Sequence, residues 1–164
     1  MHKIRLLTII LLFVSGCVQE EQNAEVFFCP EDFCEERTIT AINSAENSVQ
    51  VAMYAFTSHE LFEALKEAKE RGVEVKVILD RLPATSKYSQ KQNLTESGIS
   101  TRIMLQKTMH NKFVVIDNEL VLTGSFNWTS NADEKNDENL VFLADKKIAS
   151  QYSEEFFELW IEAG

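Results

Sequence analysis

The feature that constrains the fold of this chain most strongly is a pair of successive short strands with polar residues at their ends. Residues 108–117 read TMHNKFVVID, a β-branched and apolar run ending in turn residues, which predicts a strand. Side chains alternate faces along a strand, so His110 and Lys112 should project to the same side, about 6.5–7 Å apart. Ser125 and Asn127 share this two-residue offset after a second apolar run. We therefore expect two neighbouring strands or strand ends that present both polar pairs to one concave site.

The four side chains suit attack on a phosphodiester. An imidazole is a nucleophile or general base near neutral pH, so His110 would supply the attacking nitrogen. Lys112, Ser125 and Asn127 would hold the non-bridging oxygens and stabilise the charge that develops during attack. None of the four is an anionic metal ligand, and we expect neither a metal nor another cofactor. Asp117 has the opposite strand parity from His110 and lies in a turn, which favours a hydrogen-bond acceptor in the turn or behind the catalytic groups.

At these residues the chain resembles the phospholipase D superfamily. The signature of that superfamily is His-x-Lys, four residues, Asp, six residues and Gly-Ser-x-Asn, and residues 110–127 match it without departure. This match includes Gly124 as a structural residue. Residues 136–139, Asn-Asp-Glu-Asn, resemble the segment that follows the signature in small, single-motif, nuclease-like members. In those members the matching glutamate hydrogen-bonds the catalytic histidine, so the resemblance implies that Glu138 does the same for His110.

The resemblance also implies a homodimer. Superfamily members work through a phosphohistidine intermediate, which requires two histidines from two copies of the signature, and the sequence holds one copy. His59 has no lysine two residues later and lies at an apparent helix start with Thr57 as N-cap, and His2 lies in a predicted leader. A two-fold homodimer would bring two copies of His110 together across the axis. One would attack phosphorus, while the other would protonate the leaving oxygen and later activate water.

Length and pattern predict a single α/β domain. The 164 residues, of which 45% are hydrophobic, suffice for one core and are too few for two well-packed domains. Strands are predicted at 48–56, 73–80, around His110, around Leu120 and at 139–144, with helices at 60–71, 86–97 and 146–161. This alternation predicts an α/β sandwich. The family resemblance, which extends from about Val26 to the C-terminus, implies a mixed β-sheet flanked by helices, with one signature motif per chain.

The N-terminus predicts export and attachment to a membrane. Two basic residues precede an apolar run that is too short to span about 30 Å of hydrocarbon as a helix, which takes about 20 residues. Val-Ser-Gly before Cys17 resembles a bacterial lipobox, so residues 1–16 are predicted to be a lipoprotein-type signal peptide. Two acyl chains on Cys17 would anchor the protein stably, with 17–25 as a polar tether and 26–164 as the catalytic domain. A plain signal peptide, giving a secreted or periplasmic protein, and a short uncleaved anchor are the alternatives.

The three cysteines agree with export. If Cys17 carries lipid, Cys29 and Cys34 remain, five residues apart, and an exported location permits a disulfide between them. The alternative is a metal site, but zinc requires four ligands and no cluster of Cys and His completes that set in the sequence. The favoured prediction is a disulfide that pins the loop before the first helix and has no catalytic role.

The negative net charge complicates the choice of substrate. The chain has 16 basic and 26 acidic residues, a formal charge of −10, and loss of the leader would remove two of the basic ones. A non-specific nuclease normally gains affinity by neutralising phosphates with Lys and Arg, although the potential in a cleft can differ from that of the whole protein. A basic patch near the site could include Lys112 of both chains with Arg81, Lys87, Lys91, Arg102 and Lys107. Taken singly, each of the outer five is more typical of a solvated surface.

Three classes of function remain open. The favoured one is an endonuclease-like phosphodiesterase acting on DNA or RNA, in line with the single-motif members that the sequence resembles. The second is a phospholipase D-type hydrolase of phospholipid headgroups, which the predicted anchor and the acidic charge favour. The third is a non-catalytic binding module that kept the fold, and the intact set His110, Lys112, Ser125, Asn127 and Glu138 argues against it.

Overall fold

Seven strands and six helices make up the described part of the chain. The computed structural model describes residues 24–163, so the predicted leader 1–16, Cys17 and the tether as far as Asn23 lie outside the described residues. The strands are β1 (Ala24–Cys29), β2 (Ser48–Met53), β3 (Glu74–Asp80), β4 (Ser100–Met104), β5 (Lys112–Ile116), β6 (Leu120–Gly124) and β7 (Glu138–Ala144). The helices are α1 (Cys34–Asn43), α2 (His59–Glu70), α3 (Arg81–Ala84), α4 (Lys91–Glu96), α5 (Ser130–Glu134) and α6 (Lys146–Glu162). Between residues 24 and 163, none of the helices is long and apolar enough to cross a membrane.

All seven strands form one mixed sheet in the order β1-β7-β6-β5-β2-β3-β4. The pairs β2·β3 and β3·β4 are parallel, and the other neighbouring pairs are antiparallel. Five strands therefore end, and β5 and β7 begin, at the same end of the sheet. We call this end, which includes Met53, Lys112, Gly124 and Glu138, the upper end. The α/β class and the mixed sheet flanked by helices are confirmed.

Helices cover both faces of the sheet, and the strands alternate their buried side chains between two cores. Val49 and Val51 of β2 face a core shared with α1, α2 and α4, whereas Ala52 faces a second core shared with α6. In α6, Phe156 is fully buried, and burial of such a side chain contributes roughly 1.5–3 kcal/mol to folding. Packing on both faces leaves the two ends of the sheet as the places where polar groups can gather.

The N-terminal elements β1 and α1 were not predicted from the sequence. Strand β1 pairs antiparallel with β7 and includes Ala24 and Glu25, which were assigned to the tether. Helix α1 begins without a capping side chain, because Phe33 occupies the N-cap position with φ 55°. Instead, the backbone N–H of Glu35 donates to Asp133 Oδ1 at 3.1 Å, from a residue 98 positions later in the chain. A cap supplied from such a distance leaves no local signal in the sequence.

The disulfide between Cys29 and Cys34 is confirmed. It joins the end of β1 to the start of α1, with the two Cα atoms 5.7 Å apart. Both cysteines are buried. In the β1·β7 register Cys29 lies opposite Glu138, so the disulfide fixes β1 beside the first residue of β7.

The prediction of a helix at residues 86–97 is wrong for the first half of that segment. The chain forms α3 and α4 with turns and bends between them. The backbone N–H of Gln90 donates to Phe56 O at 3.0 Å, and the hydroxyls of Ser86 and Ser89 accept from the N–H groups of Tyr88 and Lys91 at 3.3 and 3.2 Å. These local bonds compete with helical hydrogen bonds, as serine side chains commonly do.

Two predicted boundaries also shift. The N-cap of α2 is Ser58, whose hydroxyl accepts from Leu61 N–H at 3.1 Å, so the predicted cap at Thr57 is wrong by one residue. Strand β5 begins at Lys112 rather than at residue 108, because the backbone N–H of Met109 donates to the side chain of Asp80 at 2.8 Å. His110 therefore lies just before the strand.

Candidate active site

His110 and Lys112 meet at the upper end of β5, as the sequence predicted. The ammonium Nζ of Lys112 lies 3.2 Å from His110 Nδ1 and donates to the backbone carbonyl of His110 at 2.7 Å. The imidazole is exposed to solvent, and Lys112 is partly buried. An exposed imidazole beside a fixed cation is suited to meet an anionic substrate.

Tyr54 holds the imidazole from the other side and was not predicted from the sequence. Its ring centroid lies 4.4 Å from that of His110, with the two planes tilted by 51°, and Lys112 Nζ lies 5.1 Å from the same ring. The backbone N–H of Tyr54 donates to Asn111 O at 2.9 Å. Tyr54 follows β2, whose last residue, Met53, pairs with Lys112. That pairing brings the ring to the histidine, and the sequence does not reveal it.

The environment of Lys112 favours binding of an anion. Burial lowers the pKa of its ammonium below the ordinary value, and the nearby negative charge of Glu138 opposes this shift without cancelling it. A partly desolvated ammonium gains more from a phosphoryl oxygen than a fully hydrated one, since less water must be displaced.

Ser125 and Glu138 form a second pair at the upper end, across β6 from the first. The hydroxyl of Ser125 donates to Glu138 Oε2 and accepts from the backbone and side-chain N–H groups of Asn139 at 3.1 and 3.3 Å. The side-chain amide of Asn136 donates to Glu138 Oε1 at 3.0 Å. The serine hydroxyl is therefore oriented by a carboxylate and by two N–H donors.

Glu138 does not hydrogen-bond His110 in this structure. Within residues 24–163, its side-chain partners are Ser125 and Asn136. Strand β6 lies between β7, which Glu138 begins, and β5, which follows His110. The hydrogen bond between Glu138 and His110 stays a prediction.

Asn127 and Gly124 fix the loop that follows β6. The carboxamide oxygen of Asn127 accepts from the backbone N–H of Ala55 at 3.2 Å, which ties this loop to the chain after β2. Gly124 has φ 150°, and a Cβ at this position would collide with the carbonyl oxygen of Asn139. Only glycine permits this close approach of β6 to β7, which brings Ser125 to Asn139.

Asp117 lies at the opposite end of β5 from His110, about 16 Å along the strand from Lys112. Its carboxylate accepts from three consecutive backbone N–H groups: Oδ2 from Glu46 at 2.9 Å, and Oδ1 from Asn47 and Ser48 at 2.7 Å each. Burial acts to raise the pKa of Asp117, but these donors outweigh it and lower the pKa below its ordinary value. Asp117 is thus an acceptor in a turn, as predicted, and it does not lie behind the catalytic groups.

Asp80 is a further carboxylate that the sequence did not single out. It is buried at the end of β3, and its two oxygens accept from different segments. Oδ1 accepts from Leu82 N–H at 2.9 Å, which caps α3, and Oδ2 accepts from Met109 N–H at 2.8 Å. Asp80 therefore fixes the residue before His110. The signal in the sequence was an acidic residue that closes an apolar strand.

The predicted basic patch divides into two groups. Lys107 pairs with Glu162 at 2.6 Å, and Arg102 donates to the carbonyl of Trp160 and lies 4.6 Å from its ring. These two residues hold the C-terminal end of α6 and do not belong to a patch at the site. In contrast, three exposed residues that follow β3 form no ion pair within residues 24–163, namely Arg81, Lys87 and Lys91.

The described residues hold no group of three or more His, Cys, Asp or Glu side chains that could bind a metal ion. The five catalytic side chains predicted from the sequence are instead one imidazole, one ammonium, a hydroxyl, a carboxamide and one carboxylate. This set can supply a nucleophile and stabilise negative charge. Independence from metal stays a prediction.

Comparisons with known proteins agree with this chemistry. The family described as "Cardiolipin synthase, PLD-like domain" matches residues 38–160. Phospholipase D of Rickettsia prowazekii (strain Madrid E) is 34% identical over 136 residues, which cover 82% of this chain and 66% of that protein. Mitochondrial cardiolipin hydrolase of Chlamydomonas reinhardtii is 31% identical over 148 residues, 88% of this chain and 64% of that protein. The chain thus spans about two thirds of the length of these curated relatives.

A solved structure covers the same domain. Nuc from Salmonella typhimurium, a phospholipase D family member, superposes with a TM-score of 0.81 and 33% sequence identity. The match covers 86% of this chain and 95% of Nuc, so the two domains are of nearly equal size. Both the sequence match over most of the chain and the shared architecture lead to one assignment. The chain belongs to the phospholipase D superfamily, and residues 38–160 match its PLD-like domain.

Proposed function

We propose that this protein is a homodimeric nuclease that cleaves phosphodiesters through a phosphohistidine at His110. The observation that carries the proposal is the exposed His110 imidazole, held between Lys112 and Tyr54 at the upper end of the sheet. His59, the other histidine in residues 24–163, stacks on Phe62 at the start of α2 and lies 3.9 Å from Glu63. The second catalytic imidazole would therefore come from a second copy of the chain.

The reaction would take two steps. Nε2 of His110 attacks phosphorus, the bond from phosphorus to the leaving oxygen breaks, and that oxygen takes a proton from the imidazolium of the partner subunit's His110. Water then attacks the phosphohistidine, and the partner subunit's His110, now neutral, takes a proton from that water. The phosphorus–nitrogen bond breaks, which releases a phosphate monoester and restores both imidazoles.

Lys112 would change its partner when substrate binds. An ammonium donates hydrogen bonds, so its contact with Nδ1 leaves the proton of a neutral imidazole on Nε2. Attack by Nε2 requires the opposite tautomer, with the proton on Nδ1. The phosphoryl oxygens of a bound diester are stronger acceptors for Lys112 than the ring nitrogen, since they carry charge. Substrate binding would thus free Nδ1, while Ser125 and Asn127 remain placed near the same end of the sheet.

Nucleic acid is the favoured substrate for three reasons. The sequence carries one signature copy, as the nuclease-like members that it resembles do. The domain matches nearly the full length of Nuc. Three exposed basic residues that form no ion pair within residues 24–163 follow β3, which ends at the same end of the sheet as the site, in a chain whose formal charge is −10. Local positive charge of this kind attracts phosphates despite the net charge.

A phospholipid diester is the second candidate. The curated relatives are named phospholipase D and mitochondrial cardiolipin hydrolase, and the predicted lipid on Cys17 would hold the domain at a membrane. With either substrate, the proposed location is outside the cytoplasm. The lipobox-like sequence supports that location, and so does the disulfide between Cys29 and Cys34, since such bonds persist in oxidising compartments.

The first test is to trap the covalent intermediate with each substrate class. The purified protein is quenched in denaturant during turnover of a single-stranded oligonucleotide or of phosphatidylglycerol vesicles, and the mass of the peptide containing His110 is measured. We expect a nucleotide adduct on wild-type protein, and a loss of turnover by more than about 10³-fold in His110→Ala, because the nucleophile is removed. Turnover should persist in EDTA.

His59→Ala is the matched control and should keep nearly full activity, because His59 lies on α2 away from the His110–Lys112 pair. Equal losses in the two variants would refute the assignment of His110. An adduct formed with phospholipid alone would replace the nuclease by the second candidate.

A further inference from the structure

A groove of about 580 Å³ opens beside the active site. Three segments line it: Thr57, residues 86–90 and residues 129–131. We call it the polar groove. Thr57 lies three residues after Tyr54, and Thr129 lies two residues after Asn127, so two of its three walls are direct continuations of the active site.

Hydrogen bonds hold the walls of the polar groove together. The backbone N–H groups of Thr57 and Gln90 donate to Trp128 O at 2.7 Å and to Phe56 O at 3.0 Å, respectively. The side-chain amide of Gln90 donates to Thr57 O at 2.9 Å. Gln90 is buried. The wall that residues 86–90 form is thus fixed to the Thr57 wall, which is itself bonded to the residue before Thr129, and the groove is preorganised for a ligand.

The lining is polar and uncharged. Every residue that lines the groove carries a hydroxyl or a carboxamide, as in Ser86, Tyr88, Ser130 and Asn131. Such groups both donate and accept hydrogen bonds, so they fit phosphate oxygens, sugar hydroxyls and base edges. The lining residues include no carboxylate, in a protein with 26 acidic residues, so a polyanion would enter without direct repulsion.

The segment that follows β3 and forms one wall of the groove also carries basic residues, two of which, Lys87 and Lys91, line a neighbouring pocket that shares Ser86 with the groove. Residues 81–91 contain three basic and no acidic residues, namely Arg81, Lys87 and Lys91. None of these three side chains forms an ion pair in the part of the chain that the structure describes. Positive side chains along a groove track the backbone of a single strand.

Tyr88 adds an aromatic face at the rim. Its side chain is 68% exposed, although a tyrosine would ordinarily bury its ring. Lys87 Nζ lies 4.8 Å from the ring centroid and occupies one face. The opposite face is available for a base, since every nucleobase has a π-face that stacks on an aromatic side chain.

We propose that the polar groove binds the single-stranded nucleic acid next to the bond that is cleaved, with Tyr88 stacking on a base and Lys87 and Lys91 contacting phosphates. This inference rests on the proposed nuclease function and names the form of its substrate. A membrane surface fits less well, because the exposed apolar side chains on this wall are Leu82 and Tyr88, whereas lipid binding requires a broad apolar face.

The test compares two substrates of different size in the same variants. Cleavage of a single-stranded oligonucleotide requires the groove, whereas hydrolysis of bis(4-nitrophenyl) phosphate requires only the active site. We expect Tyr88→Ala to raise KM for the oligonucleotide by about 5- to 150-fold, because one stacked base is lost, and Tyr88→Phe to restore it. Lys87→Gln and Lys91→Gln should each reduce the slope of log KM against log salt by about 0.7. Turnover of the small diester should not change in any of them.

Lys146→Gln is the matched control. It removes the same charge at the other end of the sheet, where Lys146 pairs with Glu119 at 2.5 Å, and it should leave both substrates unaffected. If the Tyr88 and Lys variants behave like this control, the inference is wrong while the nuclease function stands. If wild-type protein hydrolyses the small diester and cuts no oligonucleotide, the proposed function fails and the inference fails with it. If the variants lose binding to vesicles of equal phosphatidylglycerol and phosphatidylcholine and keep their KM for the oligonucleotide, this wall is a membrane surface instead.

Discussion

Asp117 belongs to the signature motif, yet it lies far from His110 and has a structural role. Its carboxylate receives three backbone N–H groups at the start of β2, at the opposite end of β5 from His110. Strand β2 in turn carries Tyr54 to the imidazole. Asp117 therefore supports the site by fixing the position of a strand, and the fixed spacing in the signature reflects the length of β5.

This role predicts a pH-dependent loss of stability in Asp117→Asn. The folded pKa of Asp117 lies below its ordinary value of 3.8, so its contribution is present above that value and is lost as pH falls through the folded pKa. We expect the variant to lose about 1–2 kcal/mol at pH 7, because hydrogen bonds to a charged acceptor become hydrogen bonds to a neutral one. Urea unfolding at pH 7 and at pH 2.5 measures the difference in stability between the two proteins, which should be smaller at the lower pH.

Glu158→Gln, an exposed change of the same charge on α6, is the control and should shift neither value. Since Asp117 lies about 16 Å from Lys112 along β5, kcat at a temperature where both proteins are folded should change little in Asp117→Asn. A large fall in kcat without a fall in stability would contradict the structural role.

The sequence predicted those site residues whose contacts are local. His110 and Lys112 are two positions apart, and strand parity was enough to bring them together. Tyr54 and Asp80 were missed because their contacts depend on which strands pair. Likewise, Ser125 became clear as the hydroxyl partner of Glu138 only once β6 was placed between β5 and β7.

At the scale of elements, the segment from β1 to α1 is held by contacts from elsewhere in the fold. Its helix has no capping side chain of its own, and the backbone N–H of Glu35 donates to the carboxylate of Asp133 in α5. Its strand ends at Cys29, opposite Glu138. The disulfide with Cys34 is the local covalent element that keeps this segment beside the active site.

We therefore predict that loss of the disulfide lowers stability. Replacing both Cys29 and Cys34 by Ser should lower the free energy of unfolding by about 2 kcal/mol, the value expected for a short closed loop. Thermal unfolding with and without dithiothreitol provides the measurement. Reductant should lower the Tm of wild-type protein and leave that of the double variant unchanged. An equal Tm for wild-type protein in both conditions would show that the bond contributes nothing.

Elements with strong local signals were predicted well, and those fixed by tertiary contacts were not. Helix α2 has a capping serine and helical spacing of its apolar residues, and α6 has Asp145 as its N-cap, so both were found nearly in full. The segment 86–90 was predicted to be helical, but its last residue is bonded to the chain after β2. No property of residues 86–90 alone reveals that bond.

At the scale of the whole molecule, the proposed dimer gives a quantitative prediction for mixed chains. If one site uses His110 of both chains, a dimer with one His110→Ala chain is inactive. Equal mixing of wild-type and His110→Ala chains, with full exchange of subunits, should halve the activity per wild-type chain, because only about one quarter of the dimers remain fully wild type. The activity is assayed before and after exchange.

Mixing with His59→Ala chains is the control and should leave the activity unchanged. Light scattering after size exclusion gives the mass of the particle and shows whether a dimer is present. Activity that stays proportional to the amount of wild-type chain would mean that each chain works alone, and the proposed mechanism would then need another general acid.

The distribution of charge over the whole molecule was only partly evident from the sequence. Six basic residues and one acidic residue fall between positions 81 and 116, so the sequence already showed where positive charge concentrates. It did not show that Arg102 and Lys107 turn toward the end of α6 and are used there. The positions of Lys and Arg in the sequence thus predicted a basic region. Which of these residues are available near the site depends on the fold.

Two buried residues, Asp80 and Gln90, fix the ends of the segment that carries Arg81 and Lys87, and this arrangement has a consequence for redesign. Asp80 secures the chain where it leaves β3, and Gln90 secures it where α4 is about to begin. Between them, residues 85–88 are exposed. A replacement loop of the same length could be grafted at this position to alter which nucleic acids the proposed nuclease accepts, while the hydrogen bond from Met109 N–H to Asp80 keeps His110 in place.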